Sequence, residues 1–282
     1  MSVTPRAVVC TAAPFLLWIA AIAPRMTGRP QKDVFEKGRL FAHRGLHDNL
    51  SQAPENSMAA FQKAAEEGFG IELDVQLTND CIPVVFHDFS LERACGVKGL
   101  LRDYTYEELQ AFDLFGSGQK IPALRDVLDL VNARVPLIIE YKSEDTDMSV
   151  VRITDPILKG YRGLYCIESF NPLVLLWYRR HRPEVVRGQL SDGFVHQKKY
   201  QSPVMFMKML PFEFLLGNFL SKPDFIAYNH KYRNNISRLI CCRILGAESV
   251  AWTIKSRREL ADARKDFGFY IFDSFVPKRR KK

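Results

Sequence analysis

The sequence predicts an α/β protein, a (β/α)8 TIM barrel with a small insertion after its second strand unit and an N-terminal hydrophobic helix before it. Three observations carry that expectation. Short apolar runs alternate with amphipathic segments from residue 38 to residue 277, the pattern of a parallel sheet with crossover helices. The runs form eight units once two that lie a turn apart are counted as a hairpin. Paired charged residues sit at or near the ends of several runs, where a barrel of about 250 residues builds its site. An open doubly wound sheet is the competing arrangement.

The first 37 residues read as a separate segment. Residues 7–23 are almost wholly apolar. This run is slightly short for a spanning helix of about 20 residues, and Pro14 interrupts it. Trp18 and the basic flank of Arg25, Arg29 and Lys32 suit a membrane anchor; a signal peptide cut after the small residues ending at Ala23 and a buried helix are the alternatives. Because the positive charge follows the apolar run, the folded domain is expected in the cytoplasm; secretion is the alternative. The chain ends in a basic tail, 278–282.

Strands are expected at 40–42, 71–77, 84–87, 137–141, 165–170, 185–190, 225–228, 250–254 and 269–272. Between the first two, residues 57–67 place Met58, Phe61, Ala64 and Ala65 on one helical face, with Asn56 or Ser57 as cap and Gly68 as stop. Residues 124–132 and 259–265 read similarly. Residues 89–120 are polar and glycine-rich, with a capped helix start at 102–109, and read as an insertion. Residues 204–220 are rich in Met, Phe and Leu. Lys208, Pro211 and Glu213 argue against a span there, leaving a barrel-covering helix or a membrane-touching loop.

Composition narrows the function classes. Lys and Arg number 40 against 32 Asp and Glu, a net charge of +8, and much of the excess lies at the two ends. Such clusters favour anionic partners. No zinc-finger spacing or RNA-binding aromatic motif is present, so no nucleic-acid partner is expected. The six cysteines are scattered without a Cys-x-x-Cys, which argues against a disulfide framework or zinc and favours a reducing compartment.

The chemistry concentrates in two stretches. Phe41-Ala-His-Arg-Gly-Leu46 through Val85-Phe-His-Asp88 contains His43, Arg44, Glu72, Asp74 and His87. Ile139-Glu-Tyr-Lys142 adds Glu140 and Lys142. Acid/base groups, cations for an anion and clustered carboxylates are the inventory for cleaving a phosphate ester. The i, i+2 spacing of Glu72/Asp74 and of Glu140/Lys142 puts each pair on one face of its strand. Such charges on an inner barrel face require partners, which a metal ion and a phosphate supply. The plainer alternatives are ion pairs among these residues and buried, satisfied histidines.

These motifs, in this order, resemble the signature of the glycerophosphodiester phosphodiesterases. His-Arg-Gly, Pro54-Glu-Asn56, Ile-Glu-Leu-Asp-Val-Gln-Leu-Thr78, Pro-Val-Val-Phe-His-Asp88 and Ile-Glu-Tyr-Lys142 carry the likeness. Glu168-Ser-Phe170, Trp252-Thr-Ile254 and Ile271-Phe-Asp273 extend it. The resemblance implies a metal-dependent phosphodiesterase that cleaves small glycerophosphodiesters to glycerol 3-phosphate and an alcohol. It implies His43 and His87 as the acid/base pair, Arg44 and Lys142 as phosphate ligands, and Glu72, Asp74 and Glu140 as ligands to one divalent cation. Oxygen donors alone suit hard Mg2+ or Ca2+. Lysolipid cleavage and a non-catalytic barrel that binds glycerophosphate polymers or membranes are the alternatives. Pro54-Glu-Asn56 reads as structural, with Glu55 able to anchor a neighbour. His47 is uncertain; His181, His196 and His230 have no motif support. Ser57 stands where Thr is frequent in that signature and Tyr141 where Leu or Ile is usual.

Overall fold

The structure, a computed structural model, describes residues 5–29, 34–35 and 40–278, with side chains in the first helix from Ala13 onward. Lys32 and tail residues 279–282 lie outside the described residues. Helix α1 (Pro5–Ile22) precedes strand β1 (Leu40–His43), helix α2 (Met58–Glu66), strand β2 (Gly70–Leu77) and strand β3 (Pro83–Val85). Two short helices, α3 (Glu92–Cys95) and α4 (Tyr106–Leu109), precede α5 (Leu124–Val131) and β4 (Leu137–Tyr141). Then come α6 (Ser149–Gly160), β5 (Tyr165–Ser169), α7 (Pro172–His181) and β6 (Arg187–Ser191). The chain continues through α8 (Pro203–Glu213), α9 (Asn218–Ser221), β7 (Phe225–Asn229), α10 (Ile236–Leu239), β8 (Glu248–Ile254), α11 (Arg257–Ala263) and β9 (Phe269–Phe272).

The sheet order β1-β9-β8-β7-β6-β5-β4-β2-β3, with β1 also paired to β2, closes a barrel of parallel strands. Among the described strands, only β3 is antiparallel, hairpinned onto β2. The expected (β/α)8 barrel is the fold, and the open sheet is excluded. Register decides what meets: His43 pairs with Glu72, Asp74 with Glu140, and Glu140 with Glu168.

Local signals explain the helices. Ser57 accepts a hydrogen bond from the Ala60 N–H, and α2 buries Ala60, Phe61, Ala64 and Ala65. Asn132, with φ +45°, terminates α5, whose buried face is Leu124, Val127, Leu128 and Val131. Thr105 and Glu108 form the capping box of α4. The insertion has a small core of its own, with Val84, Phe86, Leu91, Leu101, Leu109, Leu114 and Ile121 buried together.

Aromatic side chains fill the barrel's N-terminal end. The Phe35 ring packs 4.5 Å from Phe269, 5.1 Å from Phe225 and 6.4 Å from Phe41. Gly188 makes room for this layer, since a Cβ there would lie 2.0 Å from the Phe225 ring. With that end filled, the cavity lined by inner-face side chains lies toward the strands' C-terminal ends.

Helix α1 runs through Pro14 without ending, contrary to an interrupted run. Its last turn is built into the barrel. Ile22 is fully buried, and its carbonyl accepts hydrogen bonds from Asn218 Nδ2 and Cys241 Sγ. Lys222 Nζ donates to the carbonyls of Ala20 and Ala23. Farther back, Phe15, Leu16 and Leu17 are exposed. The apolar stretch at 204–220 is two helices, broken where Leu215 adopts φ +59°. Val204, Phe206, Met207, Phe212 and Phe219 on it are exposed. By length and apolarity alone Pro203–Ser221 could cross a membrane; Ala13–Ile22 is shorter.

Candidate active site

The C-terminal ends of the strands surround a cavity of about 330 Å3. His43, Arg44, Glu72, His87, Glu140, Lys142 and Glu168 line its floor and one wall; Phe170, Trp252, Lys231 and Lys255 are among the residues of the rest. The sequence-predicted residues thus converge on one place. His181 and His196 do not line it; they stack on Trp177 and Tyr232.

The carboxylates form the centre. Glu72, Asp74 and Glu140 each offer an oxygen within 4.8 Å of the others. Glu72 Oε2 accepts the Arg44 backbone N–H at 3.0 Å, and Asp74 Oδ2 accepts Asn56 Nδ2 at 2.9 Å. Lys142 Nζ donates to Glu140 Oε1 at 2.8 Å and lies 3.7 Å from Asp74 Oδ1. Burial pushes the Glu72 carboxyl well above the usual range, and Asp74, Glu140 and Glu168 add to the push. Glu140 is raised by burial despite Lys142. Asp74 goes the other way: burial works against it, but His87, Arg44, Lys142 and the Asn56 amide hold it below the usual carboxylate range.

So much buried negative charge is unstable without added positive charge. Two further oxygens, Glu72 Oε1 and Asp74 Oδ1, are buried and have no hydrogen-bond partner among the described residues. Each such orphan costs about 1–3 kcal/mol. Clustered, unpartnered carboxylate oxygens fit a hard divalent cation, so the residues present match the ion that the sequence implied.

The histidines flank this cluster. His43 Nδ1 lies 3.2 Å from Asp273 Oδ2, and His43 Nε2 lies 3.9 Å from Glu72 Oε2. Burial, helped by the neighbouring Arg44, lowers the His43 pKa to about 4 even though Asp273 opposes it. That shift favours the neutral imidazole over the imidazolium. His87 Nδ1 lies 2.5 Å from Asp88 Oδ1.

A second set of ion pairs, unforeseen in sequence apart from an anchoring option for Glu55, braces both arms. Arg93 Nε donates to Asp88 Oδ2 at 2.5 Å, and its Nη atoms donate to the two oxygens of Glu55 at 3.0 and 2.6 Å. Glu55 Oε1 also accepts from Arg44 Nη1 at 2.7 Å. The Pro54-Glu-Asn56 turn therefore anchors Arg44 through Glu55 and Asp74 through Asn56. Sequence reasoning missed Asp273, Asp88, Arg93 and Glu168 as site residues. Asp88, Glu168 and Asp273 sit inside recognised motifs and could have been found. Arg93 had no signal, because its partners lie 5 and 38 positions away.

Fold and site together define a barrel enzyme of the phosphoric-diester-hydrolase class. Residues 43–266 match the family described as "Glycerophosphoryl diester phosphodiesterase family". A glycerophosphodiester phosphodiesterase from Bacillus altitudinis is 34% identical over 185 residues, covering 61% of this chain and 72% of that protein. Glycerophosphodiester phosphodiesterase 1 from Homo sapiens is 36% identical over 276 residues, covering 83% and 77%. The fold is shared with a phosphodiesterase from Oleispira antarctica solved in complex with the product sn-glycerol-3-phosphate. That structure has TM-score 0.68 and 22% identity, with 85% of this chain and 94% of that one covered. A glycerophosphodiester phosphodiesterase structure from Parabacteroides distasonis gives TM-score 0.60 at 25% identity, covering 84% and 93%. The chain belongs to the glycerophosphoryl diester phosphodiesterase family.

Proposed function

We propose that this protein hydrolyses small glycerophosphodiesters to glycerol 3-phosphate and an alcohol, with one divalent cation, Mg2+ or Ca2+, and with His43 and His87 as the acid/base pair. The observation that carries the reading is the cluster of Glu72, Asp74 and Glu140: Glu72 and Glu140 line one cavity with the two histidines, and Asp74 is buried with an oxygen within 4.8 Å of both. Those three carboxylates would hold the cation, which supplies charge neutralisation at the phosphate and a template for the glycerol hydroxyls.

Arg44 and Lys142 bind the non-bridging phosphate oxygens and offset charge as it builds. Asp273 holds a proton on His43 Nδ1, leaving the Nε2 lone pair directed to the cavity. That arrangement favours His43 as the base. His43 Nε2 takes the proton of the glycerol 2-hydroxyl, whose oxygen attacks phosphorus within the same molecule. His87 gives a proton to the departing alcohol oxygen as the P–O bond breaks. Water then opens the cyclic phosphate, with the two histidines exchanging roles. Direct attack by water is the competing route, and turnover of a substrate with a blocked 2-hydroxyl would establish it.

Helix α1 is read as a retained membrane anchor. Its exposed apolar side chains fit lipid, and a cut after Ala23 would remove the buried Ile22. Its docking end lies at the N-terminal end of the barrel: the Arg25 N–H bonds Pro223 just before β7, and Arg29 bonds Leu245 just before β8. The mouth is at the opposite end, which supports a water-soluble substrate. One observation favours a second, lysolipid reading. An aromatic row leads outward from the cavity, Trp252 to Phe170 at 5.7 Å, Phe170 to Phe194 at 6.0 Å and Phe194 to Tyr200 at 5.8 Å. It ends beside the exposed apolar residues of α8.

The test is release of glycerol 3-phosphate from glycerophosphocholine and glycerophosphoethanolamine, and of lysophosphatidic acid from lysophosphatidylcholine, with and without EDTA. Metal-dependent cleavage of the soluble diesters is expected. Cleavage of the lysolipid alone would establish the second reading, and activity that survives full metal removal would overturn the cation's role.

A further inference from the structure

Next to the carboxylate cluster lies a second group with the spacing of metal ligands. His43, His47 and Asp273 each present one ligand atom within 4.8 Å of the others. His43 Nδ1 lies 3.2 Å from Asp273 Oδ2. The donor set differs from that of the first site: two imidazoles and one carboxylate suit a borderline ion such as Zn2+ rather than Mg2+ or Ca2+.

His47 marks the site. Both its ring nitrogens are shielded from solvent, and neither has a hydrogen-bond partner among the described residues. A neutral imidazole has one donor and one acceptor, and the interior normally satisfies both. The loop that carries His47 is not short of polar contacts, since its neighbours Asp48 and Asn49 make several. Two cations face the group. Lys255 Nζ lies 3.8 Å from Asp273 Oδ2, and Arg44 follows His43 in the chain. They oppose a bound metal, so the site suits a displaceable ion rather than a permanent one. Ser274 donates to the other Asp273 oxygen, at 2.6 Å, and fixes its orientation.

We propose that His43, His47 and Asp273 form an inhibitory site for a zinc-class divalent cation, distinct from the carboxylate site. The switch follows from tautomer chemistry. With Asp273 as hydrogen-bond partner, the His43 proton sits on Nδ1 and Nε2 can accept another. With a metal on Nδ1, the proton moves to Nε2, which then has no lone pair for a substrate proton. Inhibition rests on the proposed role of His43 as base; binding does not.

The full chain is first saturated with Mg2+, then titrated with Co2+, whose visible absorption reports histidine ligation, and separately with Zn2+ during turnover. H47N and H47Q are each expected to weaken the cobalt spectrum's apparent affinity at least tenfold, whereas E140Q leaves it in place. Both His47 variants keep basal turnover in Mg2+, and their zinc inhibition midpoint rises at least tenfold. A cobalt spectrum that both variants leave intact overturns the site. A lost spectrum with unchanged zinc inhibition overturns the switch and the assignment of the base to His43, while glycerophosphodiester cleavage itself stands or falls on the EDTA experiment.

Discussion

His43 and His87 bring the same imidazole to one cavity, yet they are held in opposite ways. His43 sits at the end of β1, is 18% exposed, and meets a carboxylate 230 positions away in sequence. His87 follows the short hairpin strand β3, is 30% exposed, and meets the next residue, Asp88. Asp88 is itself 22% exposed and depends on Arg93, a residue of the insertion that is 45% exposed. The first arm is fixed by barrel closure and burial, the second by a surface chain of charged hydrogen bonds. A buried partner cannot be replaced by water; an exposed one partly can.

Removing either imidazole should break both arms alike. His43→Ala and His87→Ala are each expected to lower kcat about 10²–10⁴-fold, measured as glycerol 3-phosphate release under saturating metal. A variant that keeps near-full activity would strike that histidine from the proposed pair.

The comparison sharpens when the partners are changed instead. Asp273→Asn should cost about 10–100-fold in kcat, because the amide no longer enforces the proton on His43 Nδ1. Asp88→Asn should cost less, about two- to tenfold, since water reaches that side. Equal losses, or the reverse order, would show that burial does not separate the two arms.

Cation binding tests the cluster between them. Burial and mutual repulsion raise Glu72 and Glu140, and a metal requires their ionised forms. Mg2+ or Ca2+ binding should therefore release protons, and affinity should rise with pH. Calorimetry in buffers of different ionisation enthalpy, run over a series of pH values, reads the number released; an affinity and a proton count that do not change with pH would contradict the raised direction of both groups.

Arg93 gives the smallest and most specific effect. Burial raises the Glu55 pKa, but the hydrogen bond from Arg93 and the charge of Arg44 bring it down to about 2 from an ordinary 4.5. The folded state thus binds this proton more weakly than the unfolded state. The stabilisation is complete above pH 4.5 and is lost as pH falls through 2. Arg93→Ala should lower stability by on the order of 1 kcal/mol at neutral pH, given the exposure of Arg93. The Tm difference from wild type should shrink as pH falls below 4.5. A difference that stays constant with pH would mean that Arg93 acts through packing alone. Added guanidinium should restore part of a modest kcat loss, because the side chain's place is open to solvent.

Much of the molecule was legible in the chain. Alternation of apolar and amphipathic runs specified a parallel sheet with covering helices, since each strand and helix must bury its own face locally; the count of eight units and the charged strand ends pointed to a barrel, and closure decided against an open sheet. The i, i+2 pairs specified which carboxylates share an inner face. Ser57 and Gly68 marked the ends of one helix through short-range hydrogen bonding and backbone freedom, while the helix start expected over 102–109 is confined to 106–109 behind Thr105. The contribution of Arg93 was hidden, because a lone arginine in a polar insertion looks like a solvated surface charge until its partners are known.

By itself, then, the sequence determined which residues bear charge at strand ends and which lie side by side on one strand, because β geometry repeats every two residues whatever surrounds it. Glu72–Asp74 and Glu140–Lys142 belong to that class. Only tertiary structure decided that Asp273 meets His43, that Glu55 ties Arg44 to Arg93, and that Glu168 joins Glu140. Those contacts depend on barrel closure and strand register, which bring distant residues together and remove the water that would otherwise partner them.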